Sequence, residues 1–190
     1  MNIMKKILCV LTTLLSLSGC GGIQGEKYRH ETPSFDLKSY FEGPIKGWGI
    51  VQNRKGDVVM RFDVDMHGSW KGNEGTLVED FVYYDGKKQQ RIWHITDLGN
   101  GKYTGRADDI LNIAQGTNFG NAGQWQYVMD VPVGDKSYRM AFNDWMWQMN
   151  DGVLMNRSYM KKFNLTMAEI TIFMQKQDSK KQSGPHKNDK

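Results

Sequence analysis

Met60-Arg61-Phe62-Asp63-Val64-Asp65-Met66-His67 alternates without a break: apolar side chains at 60, 62, 64 and 66, charged or polar ones at 61, 63, 65 and 67. Successive side chains of a strand point to opposite faces, so this period of two puts Met60, Phe62, Val64 and Met66 on a core and their neighbours in water. On either side, turn signals recur at short spacing. They are Asn53-Arg54-Lys55-Gly56, Gly72-Asn73-Glu74-Gly75, Asp85-Gly86, Asn100-Gly101, Gly120-Asn121, Gly134-Asp135 and Asp151-Gly152. Gly, Asn and Asp tolerate the positive φ that tight hairpins demand, and the runs between them are rich in Val, Ile, Tyr, Phe, Trp and Thr. The pattern predicts about ten antiparallel strands, no long helix, and a short helical turn over Asp36–Glu42 that Gly43-Pro44 closes. A meander of this length leaves two exposed edges, and closing on itself removes both. The expected fold is therefore all-β, an antiparallel up-and-down barrel of about ten strands with a short N-terminal helical turn; a sandwich is the alternative.

Which side chains point inward depends on register, and register depends on loop length. A two-residue loop at Asp85-Gly86 sets Asp80 opposite Arg91 and Leu77 opposite His94. A two-residue loop at Asn100-Gly101 sets Ile95 opposite Arg106 and Trp93 opposite Asp108. One face then carries Asp80, Arg91, Arg106 and Asp108. The other carries Leu77, Glu79, Phe81, Ile92, His94, Gly105 and Ala107, and its apolar content assigns it to the interior. Trp125, Tyr127, Met129, Met140 and Phe142 join it from later strands, beside Met60, Phe62, Val64 and Met66. Met and aromatic side chains can line an adaptable apolar pocket, and they can equally fill a barrel solid. Trp145 and Trp147 fall on the outward face of their strand, as an interaction surface or as packing under the N-terminal segment.

Two polar pairs are expected inside. Asp144 interrupts an apolar face made by Tyr138, Met140, Phe142 and Met146. A two-residue loop at Asn150-Asp151 or Asp151-Gly152 brings Arg157 onto that face, whereas a three-residue loop sends it to the opposite one. Glu79 lies diagonal to His94 under the Asp85-Gly86 register. Each pair is either a structural ion pair or a polar anchor for a ligand's head group. His30, His67, His94 and His186 are scattered, and no Gly-x-Ser-x-Gly elbow occurs. Neither a catalytic residue, a metal site nor a cofactor is expected, and the protein is not read as an enzyme.

The N-terminus speaks of location. Lys5 and Lys6 precede an apolar run from Ile7 to Leu17 that ends in Leu17-Ser18-Gly19-Cys20, a secretory signal with a lipobox and too short to span a bilayer. The expected organisation is a lipoprotein signal peptide over 1–19, a flexible tether over 20–34 starting at a lipidated Cys20, a barrel over 35–176 and a disordered basic tail over 177–190. Gly21, in place of a retaining Asp, favours the outer membrane. The formal charge of +4 comes from the signal and from a tail with five lysines against two aspartates from Lys176 onward. The body between is nearly neutral and shows no basic stripe, so nucleic acid is not an expected partner. Cys9 leaves with the signal and Cys20 takes the lipid, which leaves no thiol for disulfides.

Four stretches carry a resemblance: FDLKSYFEGPIKGWGIVQNRKG (35–56), GTLVEDFVYYDGKKQQRIWHI (75–95), YTGRADDI (103–110) and FNDWMWQMNDGVLMNRSYMKKF (142–163). From Phe35 to Lys176 the chain resembles the bacterial lipoproteins called domain of unknown function 3833. The resemblance implies a lipid-anchored envelope protein with a lipocalin-like (calycin) barrel and, from the neighbourhood of fatty-acyl-modifying enzymes, a lipid theme; it brings no catalytic residues. Gly47-Trp48 at the first strand is similar to the Gly-x-Trp opening of lipocalins, compressed to adjacent positions. The function expected is an outer-membrane lipoprotein, held to the membrane by its N-terminal lipid, whose barrel binds or transports a hydrophobic small molecule such as a fatty acyl chain or lipid. The alternative is a structural or assembly lipoprotein with a filled barrel that acts through its outer surface.

Overall fold

Ten antiparallel strands close into a barrel in the computed structural model, which describes residues 22–178. The expected signal peptide, Cys20 and the tail from 179 onward lie outside the described residues. The strands are β1 (Gly43–Asn53), β2 (Val58–Lys71), β3 (Glu74–Tyr83), β4 (Lys88–Gly99), β5 (Lys102–Arg106), β6 (Ala114–Phe119), β7 (Ala122–Val133), β8 (Lys136–Gln148), β9 (Val153–Lys162) and β10 (Leu165–Lys176). Each pairs with its neighbours in sequence, and β1 pairs with β10 from Ile45↔Lys176 to Asn53↔Ala168, so the up-and-down barrel is closed and no sandwich forms. The alternation in β2 is as the sequence predicts. Phe62, Val64 and Met66 are buried while Asp65 and His67 are exposed.

The two ends differ. At one, the helix α1 (Leu37–Phe41) plugs the barrel with Leu37, Tyr40 and Phe41, and Phe35 is buried beside it. Asp36 caps α1 by accepting from the Ser39 amide at 2.8 Å, and the Tyr103 hydroxyl donates to the same carboxylate at 2.7 Å. Lys38 donates to the Gly72 carbonyl at 2.6 Å and the Tyr40 hydroxyl to that of Gly152 at 3.2 Å, tying the plug to two hairpins. Gly68 makes the close approach possible, since a β-carbon there would overlap the Phe41 carbonyl. The hairpins β1–β2, β3–β4, β7–β8 and β9–β10 form the other end, which no helix covers.

The segment expected to be a flexible tether is docked from Gly25 onward. A 3-10 turn (Gly25–Tyr28) packs against β6 and β7, with Gly25 buried against the Phe119 ring. Tyr28 meets Trp145 and Trp147 at ring separations of 6.3 and 6.2 Å, and the Phe35 amide donates to the Gly120 carbonyl at 2.8 Å. Trp145 faces outward, as its position in β8 requires, yet it is 1% exposed because this segment covers it.

Candidate functional site

Loop lengths decide what the barrel encloses. Between β3 and β4, Tyr83 pairs with Lys87 across a three-residue loop with Gly86 at φ 87°, instead of the expected two-residue loop. The register moves by one, Leu77 lies opposite Trp93, and Glu79 lies opposite Arg91. Arg91, Trp93 and Ile95 therefore point in, while Ile92 and His94 point out and are exposed. Between β8 and β9, Met149 pairs with Val153 across Asn150-Asp151-Gly152, again three residues. Asp144 then faces Ser158, and Arg157 lies outside on Glu169, its Nε donating to Oε2 at 2.9 Å. Both expected polar pairs are thus corrected: neither Glu79–His94 nor Asp144–Arg157 shares a face.

A different polar cluster takes their place. Arg91 Nη1 stands 4.0 Å from Glu79 Oε2, and its Nε and Nη2 donate to Asp109 Oδ2 at 3.0 and 2.7 Å. Asp109 comes from residues 107–113, which run irregularly along the wall where β5 and β6 are short. The Leu111 amide donates to the Val128 carbonyl at 2.8 Å, and Asn112 Oδ1 accepts from the Val128 amide at 2.7 Å. Across the interior, the Ser158 hydroxyl donates to Asp144, and Tyr127 lies near the same carboxyl. The Met129 sulfur lies 3.6 Å from Arg91 Nη2.

Burial pushes Asp144 up to about 7, against the opposing pull of Ser158, Arg91 and Tyr127. Burial likewise raises Glu79, and nearby Arg91 offsets part of that rise. Burial works against the charge of Arg91, but the Glu79 and Asp109 carboxyls beside it outweigh that and hold the guanidinium protonated. One fixed cation thus faces three carboxyls, and in two of them, Glu79 and Asp144, burial raises the pKa. The cluster is shielded without being sealed: the Glu79 and Arg91 side chains keep 15% and 14% of their surface accessible.

Around the cluster the inner face divides. On the plugged side, Trp93 stands edge-on to Trp125 at 5.5 Å and to Tyr127 at 5.4 Å, while Tyr127 stacks on Phe142 at 4.8 Å. Phe62, Met66, Trp125, Tyr127, Met140 and Phe142, all expected inside, are buried there or beside it. On the open side, Phe81, Tyr83, Met129, Val131 and Tyr138 point inward and are only half-buried. Met60 shares the inner face but ends at the open rim, 45% exposed. Trp48 faces outward against Phe173 at 5.7 Å, unlike a tryptophan that closes a barrel floor. Among the described residues, no group of three or more His, Cys, Asp or Glu is placed to hold a metal.

The reading from sequence missed Arg91, Trp93, Asp109 and Ser158. For Arg91 and Ser158 a signal exists, because three-residue loops at Asp85-Gly86 and Asn150-Asp151-Gly152 generate both placements. For Asp109, held by an irregular segment, none does.

A closed up-and-down barrel, plugged at one end, open at the other, with a charged cluster between, defines the class of protein. The chain belongs to the family described as protein of unknown function (DUF3833), whose model matches residues 14–176. No curated protein matches it.

Proposed function

We propose that this protein is a lipoprotein, held to the outer membrane through a lipid on Cys20, whose barrel binds or carries a hydrophobic ligand such as a fatty acyl chain or lipid. The observation that carries the reading is the half-buried inner face on the open side. Phe81, Tyr83, Met129, Val131 and Tyr138 point inward, pack against the core and keep part of their surface exposed, and the shielded cluster of Arg91, Glu79, Asp109 and Asp144 lies deeper. That order suits an amphipathic molecule, with a chain against apolar walls and a head group beside hydrogen-bonding partners. Ser158 does donate to Asp144, but it is buried, 4% exposed, so we read the arrangement as a binding element and the protein as a non-enzyme. The family match begins at residue 14 and so takes in Leu17-Ser18-Gly19-Cys20, which supports the lipid anchor.

Displacement of an environment-sensitive apolar probe by a fatty acid tests the reading. The folded wild type is expected to bind saturably, and Met129→Asp to bind at least tenfold more weakly, with circular dichroism establishing that the variant is folded. Absence of saturable binding to the wild type overturns it. One observation favours the second reading, a filled barrel acting through its exterior. Trp147, Met155, Phe173 and Trp48 pair in turn across β8, β9, β10 and β1 and form an outward apolar row. Under that reading a stoichiometric protein partner co-purifies and the probe does not bind.

A further inference from the structure

We infer that the open rim of the barrel docks on an anionic lipid bilayer. The four hairpins at that end (53–61, 84–88, 130–139 and 161–165) carry nine lysines and arginines against four aspartates, and the 107–113 segment that joins β5 to β6 on the same side adds Asp108 and Asp109. The hairpins of the plugged end (71–74, 97–102, 119–122 and 148–153) carry two against three. A body that is nearly neutral overall thus concentrates positive charge around its opening. Each basic side chain near an anionic surface contributes about 1 kcal/mol of attraction that falls off within a Debye length.

Exposed apolar side chains gather in the same place. Phe163 is 86% exposed at the tip of the β9–β10 hairpin, and Val59 and Val133 stand 59% and 55% exposed on two others. The Phe163 position is informative. Lys162 pairs with Leu165 across a two-residue loop whose members, Phe163 and Asn164, sit at φ 51° and 61°. Left-handed backbone of this kind suits Gly, Asn or Asp, and a phenylalanine there is strained. The fold holds a large apolar ring in solvent, at a backbone cost, directly after Lys161 and Lys162. An aromatic tip flanked by lysines matches a bilayer interface, where the ring enters the acyl boundary and the ammonium groups stay with phosphates.

This deepens the acyl-binding reading, on which its purpose rests: the rim that meets the bilayer is the rim through which a lipid enters. The measurement itself is independent of both ligand and anchor. The mature chain from residue 20, carrying Cys20→Ala, is floated with vesicles of phosphatidylethanolamine and phosphatidylglycerol, and separately with phosphatidylcholine vesicles. Binding is expected to the anionic vesicles alone and to fall as salt rises. Phe163→Ser and the double variant Lys161→Glu/Lys162→Glu should each lower it about tenfold. A chain with Lys180, Lys181, Lys187 and Lys190 changed to Gln should bind as the parent does. Indifference to the rim substitutions, loss of binding with the tail lysines, or equal binding to phosphatidylcholine each overturns the proposal. Phe163→Ser is expected to keep the parent's affinity for the soluble apolar probe. A rim that floats in a chain whose barrel binds no probe would remove the ligand reading and leave the docking intact.

Discussion

The plugged half and the open half of this barrel are made by the same ten strands, yet they obey different rules. In the plugged half, helix α1 and the Trp93–Trp125–Tyr127–Phe142 group exclude water, and these inward side chains are within a few per cent of full burial, while Leu98 and Met149 stay exposed on the hairpins outside. In the open half the inward side chains remain half-buried, and the hairpin tips display Val59, Val133 and Phe163. Packing of the first kind stabilises a fold. Leaving apolar surface uncovered forgoes about 25 cal/mol for each Å² that burial would have removed from water, and folding alone gives no reason for it. On the proposed function, the contrast places stability at one end and interaction at the other.

Substitutions can break that contrast or sharpen it. Trp93→Ala, in the plugged half, should cost about 3–5 kcal/mol in urea unfolding, because its cavity is walled by rings that cannot collapse into it. Gly68→Ala should cost about 1–3 kcal/mol by forcing the Phe41 carbonyl off the barrel, and amide exchange should show α1 opening while the strands stay protected. A smaller cost than that of a rim substitution, for either, would erase the distinction between the halves.

Asp144, at the boundary, should reveal itself through pH. Its folded carboxyl holds a proton up to about 7, well above the unfolded chain, so its contribution is complete below about pH 4 and is lost as pH rises through about 7. The loss is on the order of 2–4 kcal/mol. Asp144→Asn keeps the hydrogen bonding without the charge, so it should match wild type at pH 4 and exceed it in stability at pH 8. Equal stability curves for the two proteins would mean that water reaches the carboxyl freely. Least of all, Phe163→Ser should shift stability by under about 0.5 kcal/mol, read from the same urea midpoint, because the ring is packed on so little.

Within a strand, the sequence was a reliable guide. The faces of β2, β7 and β8 follow from alternation alone, which is why Phe62, Met66, Trp125, Tyr127, Met140, Phe142 and Asp144 lie inside as expected. Across a turn it was a poor one, since a single residue reverses the partner strand. At Asn100-Gly101 the loop does have two residues, with φ 54° and 69°, and Gly99 pairs with Lys102. A bulge between Asp97 and Gly99 then moves the register by one, so Ile95 faces Gly105 rather than Arg106. Asp85-Gly86 and Asp151-Gly152 look like the same signal and each opens a three-residue loop. The dipeptide marks where the chain turns, while the number of residues spent turning depends on the twist and closure of the whole barrel. Hence Arg91 was expected outside and Arg157 inside, and each is the reverse.

The docking of Gly25–Tyr28 beside the plug has a consequence for the proposed lipid anchor. Cys20 precedes Gly22 by two residues, a reach of about 7 Å at full extension. The turn that follows is fixed near the end of β6, beside Gly120 and Trp145, far from Phe163. Under the proposed anchor, a lipid on Cys20 would hold the barrel by its plugged end, with the open rim turned away from the leaflet that bears it. Seated in this way, the protein would dock its proposed rim on a bilayer that faces the anchoring leaflet, and not on that leaflet itself.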